Sequence, residues 1–246
     1  MYDGTEFHGW QYQPNGITVQ ETIENTLNKI IGENIKVTGC SRTDAGVHAL
    51  EYYFNFFSNT QIPTEKLAFA LNNNFDNNYI SAICAYDVEE DFNSRFSSLG
   101  KQYVYKIHNS KIGNPFTNRF SWFFPYKLNL DLMEEAAKYF VGEHDFSAFM
   151  ASGGSQKTTI RNIKKCEVLK NPEWCSDIVI KVEANAFLYN MVRIITGTLC
   201  EVGTGRIKPC DIPYIIESCD RSKAGMTAPP EGLHLSKVFY PDDLFL

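Results

Sequence analysis

The stretch TVQETIENTLNKIIGENIKVTGCSRTDAGVHALEYYFNFF, residues 18–57, decides the fold of the first half of the chain. It opens as a helix over residues 18–31. Thr18 and Glu21 stand at capping-box spacing, where a hydroxyl meets an amide of the first turn. Val19, Ile23, Leu27 and Ile30 return to one helical face, and Gly32 offers the left-handed residue that ends it. Residues 35–39 and 50–57 then read as strands, the second rich in aromatics. Between them runs Ser41-Arg42-Thr43-Asp44-Ala45-Gly46-Val47-His48-Ala49. In an extended segment residues two apart share a face, so Arg42 and Asp44 look toward the same ligand. Gly46 lets the backbone turn sharply there.

Working outward, Pro63 and Thr64 open a second helix to residue 71, and residues 79–88 read as a strand, giving α-β-β-α-β. The second half starts with a strand over 101–108, in which Tyr103, Tyr105 and Ile107 alternate. A helix over 129–141 follows, capped by Asn129, striped by Leu130, Met133, Ala137 and Phe140, and stopped by Gly142. Strands at 160–169 and 178–183, helices at 188–202 and 209–218, and a last strand at 233–240 complete β-α-β-β-α-(α)-β. This is the split β-α-β arrangement, with helices on one face of an antiparallel sheet. The expected fold is α+β: two ferredoxin-like units whose antiparallel sheets join around a central cleft. The boundary falls near residues 97–100. Domain 1–98 carries the Asp44 loop, and domain 99–246 carries most of the basic residues.

Composition narrows the function classes. No run approaches the roughly 20 apolar residues of a membrane span, and no signal peptide is apparent. Seven cysteines are scattered with no C-x-x-C pair, so neither a disulfide framework nor a zinc site is indicated. A cytoplasmic protein is expected. The net charge of −6 is unevenly spread: residues 1–100 hold 5 Lys+Arg against 13 Asp+Glu, and the remainder 18 against 16. Lys157, Arg161, Lys164 and Lys165 form the densest basic cluster, a candidate phosphate-binding surface, with Arg206, Lys208, Arg221 and Lys223 a looser one.

The string at residues 41–49 resembles the signature of the tRNA pseudouridine synthase A family. Further blocks appear in the order of that family: Tyr2-Asp3-Gly4 with Gly9-Trp10-Gln11, Thr18-Val19-Gln20-Glu21, Phe92 to Tyr105, Ala186-Phe187-Leu188 through Met191-Val192-Arg193, Val202-Gly203 and Glu231-Gly232-Leu233. The likeness spans nearly the whole chain. It implies Asp44 as the nucleophile, Tyr103 as the ring stacking on the target uracil, and Arg193 as the arginine paired with the aspartate. Arg42 and Arg95 suit phosphate contacts or the space left by a displaced base, since guanidinium both forks and stacks. The resemblance further implies tRNA as substrate, uridines 38–40 of the anticodon arm as targets, and a homodimer. Three departures stand out: Ser41 replaces the family's glycine, Asn93 its histidine, and Phe75-Asp76 its Leu-Pro.

The residue types fit the chemistry. Uridine isomerisation breaks a C–N glycosidic bond, turns the base and rejoins it through carbon, with no need of cofactor or metal. A carboxylate can add to ribose C1′, add to uracil C6, or assist elimination of the base. An adjacent arginine keeps the acid ionised. An enzyme that works on a stacked base must extrude it, which calls for an aromatic platform. A catalytically silent tRNA-binding paralogue is the alternative, and retention of Asp44, Tyr103 and Arg193 together disfavours it. His48 is read as structural support. Finally, family members place a strand just before the Tyr2-Asp3-Gly4 block, whereas Met1 directly precedes it here. A missing strand would leave unpaired backbone on two neighbours, and an upstream start is expected on that ground.

Overall fold

The structure, a computed structural model, describes residues 1–154, 158–173, 176–242 and 244. The chain divides into two units, Met1–Leu99 with Leu235–Leu246, and Gly100–His234. The closing segment therefore returns to the first unit.

In the first unit, helix α1 (Val19–Ile31) begins where Thr18 accepts the Glu21 N–H at 3.2 Å and ends at Gly32, φ 79°. Val19, Ile23 and Leu27 are buried, as are Ile35, Val37 and Leu71. Each such side chain contributes about 1.5–3 kcal/mol on burial, an upper figure given the compactness of real unfolded chains. The strands are shorter than expected. Strand β1 is only Thr38–Gly39, because the backbone before it bonds to α1 instead: Ile35 N–H donates to Asn28 Oδ1 (2.7 Å) and Val37 N–H to Glu24 Oε1 (3.1 Å). The aromatic run yields only β3 (Phe54–Asn55), antiparallel to β1, while β2 (His48–Ala49) lies just before it. After α2 (Thr64–Asn72), the expected strand at 79–88 does not form. Its amides are partly engaged by a side chain: Asn72 exchanges two 2.8 Å bonds with the backbone of Ala82.

The opening residues are tied into the first unit. Tyr2 forms antiparallel bridges to both Ala49 and Ile80. Its N–H donates to Ala49 O (2.8 Å), Ala49 N–H returns to Tyr2 O (3.1 Å), and Asp3 N–H donates to Tyr79 O (2.8 Å).

The second unit holds the longer strands: β4 (Gly100–His108), β5 (Trp122–Phe123), β6 (Gly142–Asp145), β7 (Ile160–Glu173) and β8 (Ser176–Ala184). Their order is β4-β8-β7-β6, all antiparallel, so β8 separates β4 from β7 as a split β-α-β requires. The exception to the expected antiparallel sheet is β5, which pairs parallel to β4 over two residues. Helix α3 (Leu130–Lys138) packs on β7, with Met133 and Ala137 buried. It stops short of Gly142, since Tyr139, Phe140 and Val141 bond three residues back and tighten the last turn. Helix α4 (Met191–Gly203) starts three residues later than its apolar pattern suggests, because Asn190 is left-handed at φ 60°. Helix α5 (Ile212–Ser218) and the strand β9 (Leu233–Phe239) close the order. Tyr105, Phe140, Phe146, Phe149, Ile163 and Ile194 are fully buried and form the core.

Candidate active site

The loop carrying Asp44 is held from several sides within the first unit. Thr43 is buried, 7% exposed, between exposed Arg42 and half-buried Asp44, the alternation an extended backbone gives. The Thr43 hydroxyl lies 2.8 Å from Tyr2 Oη, and Thr43 O accepts the Trp10 N–H at 3.1 Å. Tyr52 Oη donates to Ser41 O. After Asp44 the chain reverses: Val47 N–H bonds to Asp44 O (3.2 Å) with Gly46 at φ 77°, a conformation costly for any side chain-bearing residue. Gly4 sits so close to the loop that a Cβ there would overlap the Val47 carbonyl. Buried His48 accepts the Gly4 N–H at Nδ1 (3.0 Å), with Asp3 Oδ1 3.2 Å from the same nitrogen. The Tyr2-Asp3-Gly4 block is thus the brace of the Asp44 loop, a role its distance in sequence conceals.

In the second unit, Arg193 occupies the first turn of α4 and is half-buried between buried Val192 and Ile194. Its Nε donates to Ala228 O (2.7 Å) and its Nη1 to Asn190 Oδ1 (2.8 Å), while Arg193 O accepts the Ala228 N–H (3.1 Å). Two edges of the guanidinium are fixed, so its plane is set before any ligand arrives. Asn190 is a residue that motif reading misses; its signal is that Asn tolerates the left-handed region, where few residues sit without a reason. Tyr103 is 6% exposed on β4, its ring edge-on to Phe187 at 5.0 Å. Next along the strand face, Tyr105 donates to Pro229 O (2.7 Å), and burial holds its phenol well above the ordinary value.

Arg95 is exposed in the first unit with its guanidinium over the Phe96 ring, 5.3 Å from the centroid, beside an aromatic that is itself 77% exposed. The basic cluster is not one open surface. Lys157 lies outside the described residues. Lys164 and Lys165 are exposed, where the register shift between Ile163 and Lys165 turns both outward, and Lys165 pairs with Glu167 at 3.1 Å. Arg161 is buried, because it alternates with Ile163 onto the covered face of β7. In the looser set, Arg221 is spent on the chain itself, donating to Ala224 O, Gly225 O and Thr227 Oγ1. Among the described residues, no three His, Cys, Asp or Glu side chains gather as metal ligands, and no helix is long and apolar enough to cross a membrane.

The sequence blocks that carry Asp44 and Arg193 resemble those of a class of RNA-modifying enzymes. Residues 1–97 and 136–241 match the model of the family described as tRNA pseudouridine synthase, and the chain belongs to that family. It is 48% identical over 239 residues to tRNA pseudouridine synthase A of Thermoanaerobacter sp. (strain X514), covering 97% of this chain and 96% of the relative. The same coverage holds for the protein of that name from Caldicellulosiruptor saccharolyticus, at 47% identity. The relative named tRNA pseudouridine synthase A 2, from Clostridium tetani, is 46% identical over 242 residues, again covering 97% of this chain and 96% of its own length.

Proposed function

We propose that this protein isomerises uridine to pseudouridine in the anticodon arm of tRNA, at positions 38–40, with Asp44 as the nucleophile. The observation that carries the reading is the bracing of the Asp44 loop by Tyr2, Gly4 and Trp10, residues of the other family blocks. A nucleophile fixed by its surroundings loses little freedom on reaching the reacting carbon. The overall change is balanced within the substrate: the N1–C1′ bond breaks, C5 joins C1′, and the proton leaving C5 is matched by one gained at N1. No external electrons are needed. Asp44 supplies the carboxylate that assists loss and return of the base. Tyr103 offers its ring to the extruded uracil, and Arg193 is, by the family resemblance, the arginine that pairs with the carboxylate. Arg42 and Arg95 contact phosphate or fill the space left in the stack, and Lys164 adds exposed positive charge for the RNA backbone.

The protein works in the cytoplasm as a homodimer in this reading. Incubating it with unmodified tRNA and mapping pseudouridine tests the activity; product at one or more of positions 38–40 is expected. No product at any anticodon-arm uridine would overturn it. Sedimentation of the full chain tests the dimer.

A further inference from the structure

We propose that Arg161 is a built-in receptor for one backbone phosphate of the tRNA, held inside the second unit rather than on an open basic face. The inference rests on the tRNA reading above. Arg161 is 7% exposed. Its Nη1 donates to the carbonyl of its own neighbour Ile160 (2.6 Å), and its Nε has no hydrogen-bond partner among the described residues. Among the described residues no carboxylate offsets its charge, and burial pushes its ionisation below the ordinary arginine value. A guanidinium removed from water without a counter-ion is costly to the fold that carries it. At 7% exposure it cannot be read as one more solvated surface charge.

Arg161 faces half-buried His144 across the β6–β7 pair, so the two side chains share a face of the sheet. His144 Nε2 is engaged by Val141 O at 3.2 Å, and its ring stands edge-on to Phe146. The guanidinium fork matches two phosphate oxygens, and the charge-assisted bonds formed there would supply the partner that the protein lacks. Free inorganic phosphate shares this chemistry, so the test separates the two sources.

The experiment compares the full chain with Arg161→Met in three measurements: thermal midpoint in chloride and in phosphate buffer, affinity for unmodified tRNA across a salt series, and pseudouridine formation. The expected result is a variant at least as thermally stable as the parent in chloride. Its tRNA affinity should fall by about tenfold, with a log–log salt slope shallower by about 0.7–0.9, the share of one phosphate contact. Arg161→Lys should keep the slope while losing part of the affinity, since charge remains and the fork is gone. An Arg161→Met chain that fails to fold, or that is less stable with unchanged tRNA affinity, overturns the proposal in favour of a structural arginine. So does a phosphate-dependent rise in midpoint confined to the parent with tRNA binding unaltered, which would mark a free-anion site only. Absence of tRNA binding by the parent chain would instead refute the functional reading itself.

Discussion

The hydroxyl of Tyr2 lies 2.8 Å from the hydroxyl of Thr43, the residue immediately before Asp44, and both side chains are buried. Tyr2 thus helps to fix the backbone from which Asp44 projects. Removing the Tyr2 hydroxyl by Tyr2→Phe leaves Thr43 Oγ1 buried without that partner, at a cost of about 1–3 kcal/mol. The denaturation midpoint should drop accordingly, and single-turnover rate should fall more than tRNA affinity. The double variant with Thr43→Val should recover part of the loss. Strict additivity of the two substitutions would show that the bond couples nothing.

Asp44→Asn should abolish turnover while leaving folding and tRNA binding close to the parent. The amide keeps the size of the carboxylate but cannot act as an anionic nucleophile, so the loss falls on the chemical step. Rapid-quench assays with saturating enzyme would settle it; appreciable product within the parent's time course would remove Asp44 from its role.

Periodicity made the helices of this chain legible, and the first unit's strands much less so. Residues 35–37 have strand-like composition, yet their amides bond to Asn28 and Glu24 of α1. Ala82 is likewise bound by Asn72 of α2. A polar side chain on a helix competes for strand amides, and nothing in the strand's own residues reveals this. Long-range pairing is equally silent: residues 233–240 read plainly as a strand, but no local pattern tells that Leu235 accepts the Leu50 N–H. At the candidate site, motifs put forward Asp44, Tyr103 and Arg193. What they could not supply is the support, since Tyr2, Gly4 and Asn190 act through contacts visible only once the chain is folded. Counting charges could not show that the basic run divides between two faces, since in the strand β7 Arg161 is buried while Lys164 and Lys165 are exposed.

Arg193→Lys should be nearly as harmful as loss of the residue. Lysine keeps the charge but has no planar fork to reach Ala228 O and Asn190 Oδ1 together, so the orientation offered to a carboxylate is lost. A rate loss of about 100-fold or more is expected, with stability changed by about 1 kcal/mol. Asn190→Ala is the companion: it removes one of the two anchors and the residue suited to the left-handed turn, and should lower rate and midpoint together. Parent-like rates in Arg193→Lys would leave the arginine a helix-to-loop tie only.

The last prediction concerns pH and the first unit's fold. Glu24 is 5% exposed on α1 and accepts from Lys36 Nζ (2.7 Å), Gln20 Nε2 (3.0 Å) and the Val37 N–H (3.1 Å). Burial by itself raises its carboxyl, but the hydrogen bonds from Lys36, Gln20 and Val37 outweigh it, leaving the value below the ordinary 4.5. The unfolded chain therefore binds the proton more readily than the folded one. The stabilisation from ionised Glu24 is fully present above 4.5 and is lost as pH falls through the lowered value. Lys36 is largely exposed, so solvent screens its share, and the backbone bond to Val37 N–H is the better protected part. Glu24→Gln should lower stability by about 1–2 kcal/mol at neutral pH. The gap between variant and parent should close as pH falls below the carboxylate range. Urea midpoints of both proteins across that range give the answer, and a gap that stays constant with pH would show that Glu24 stabilises by packing rather than by charge.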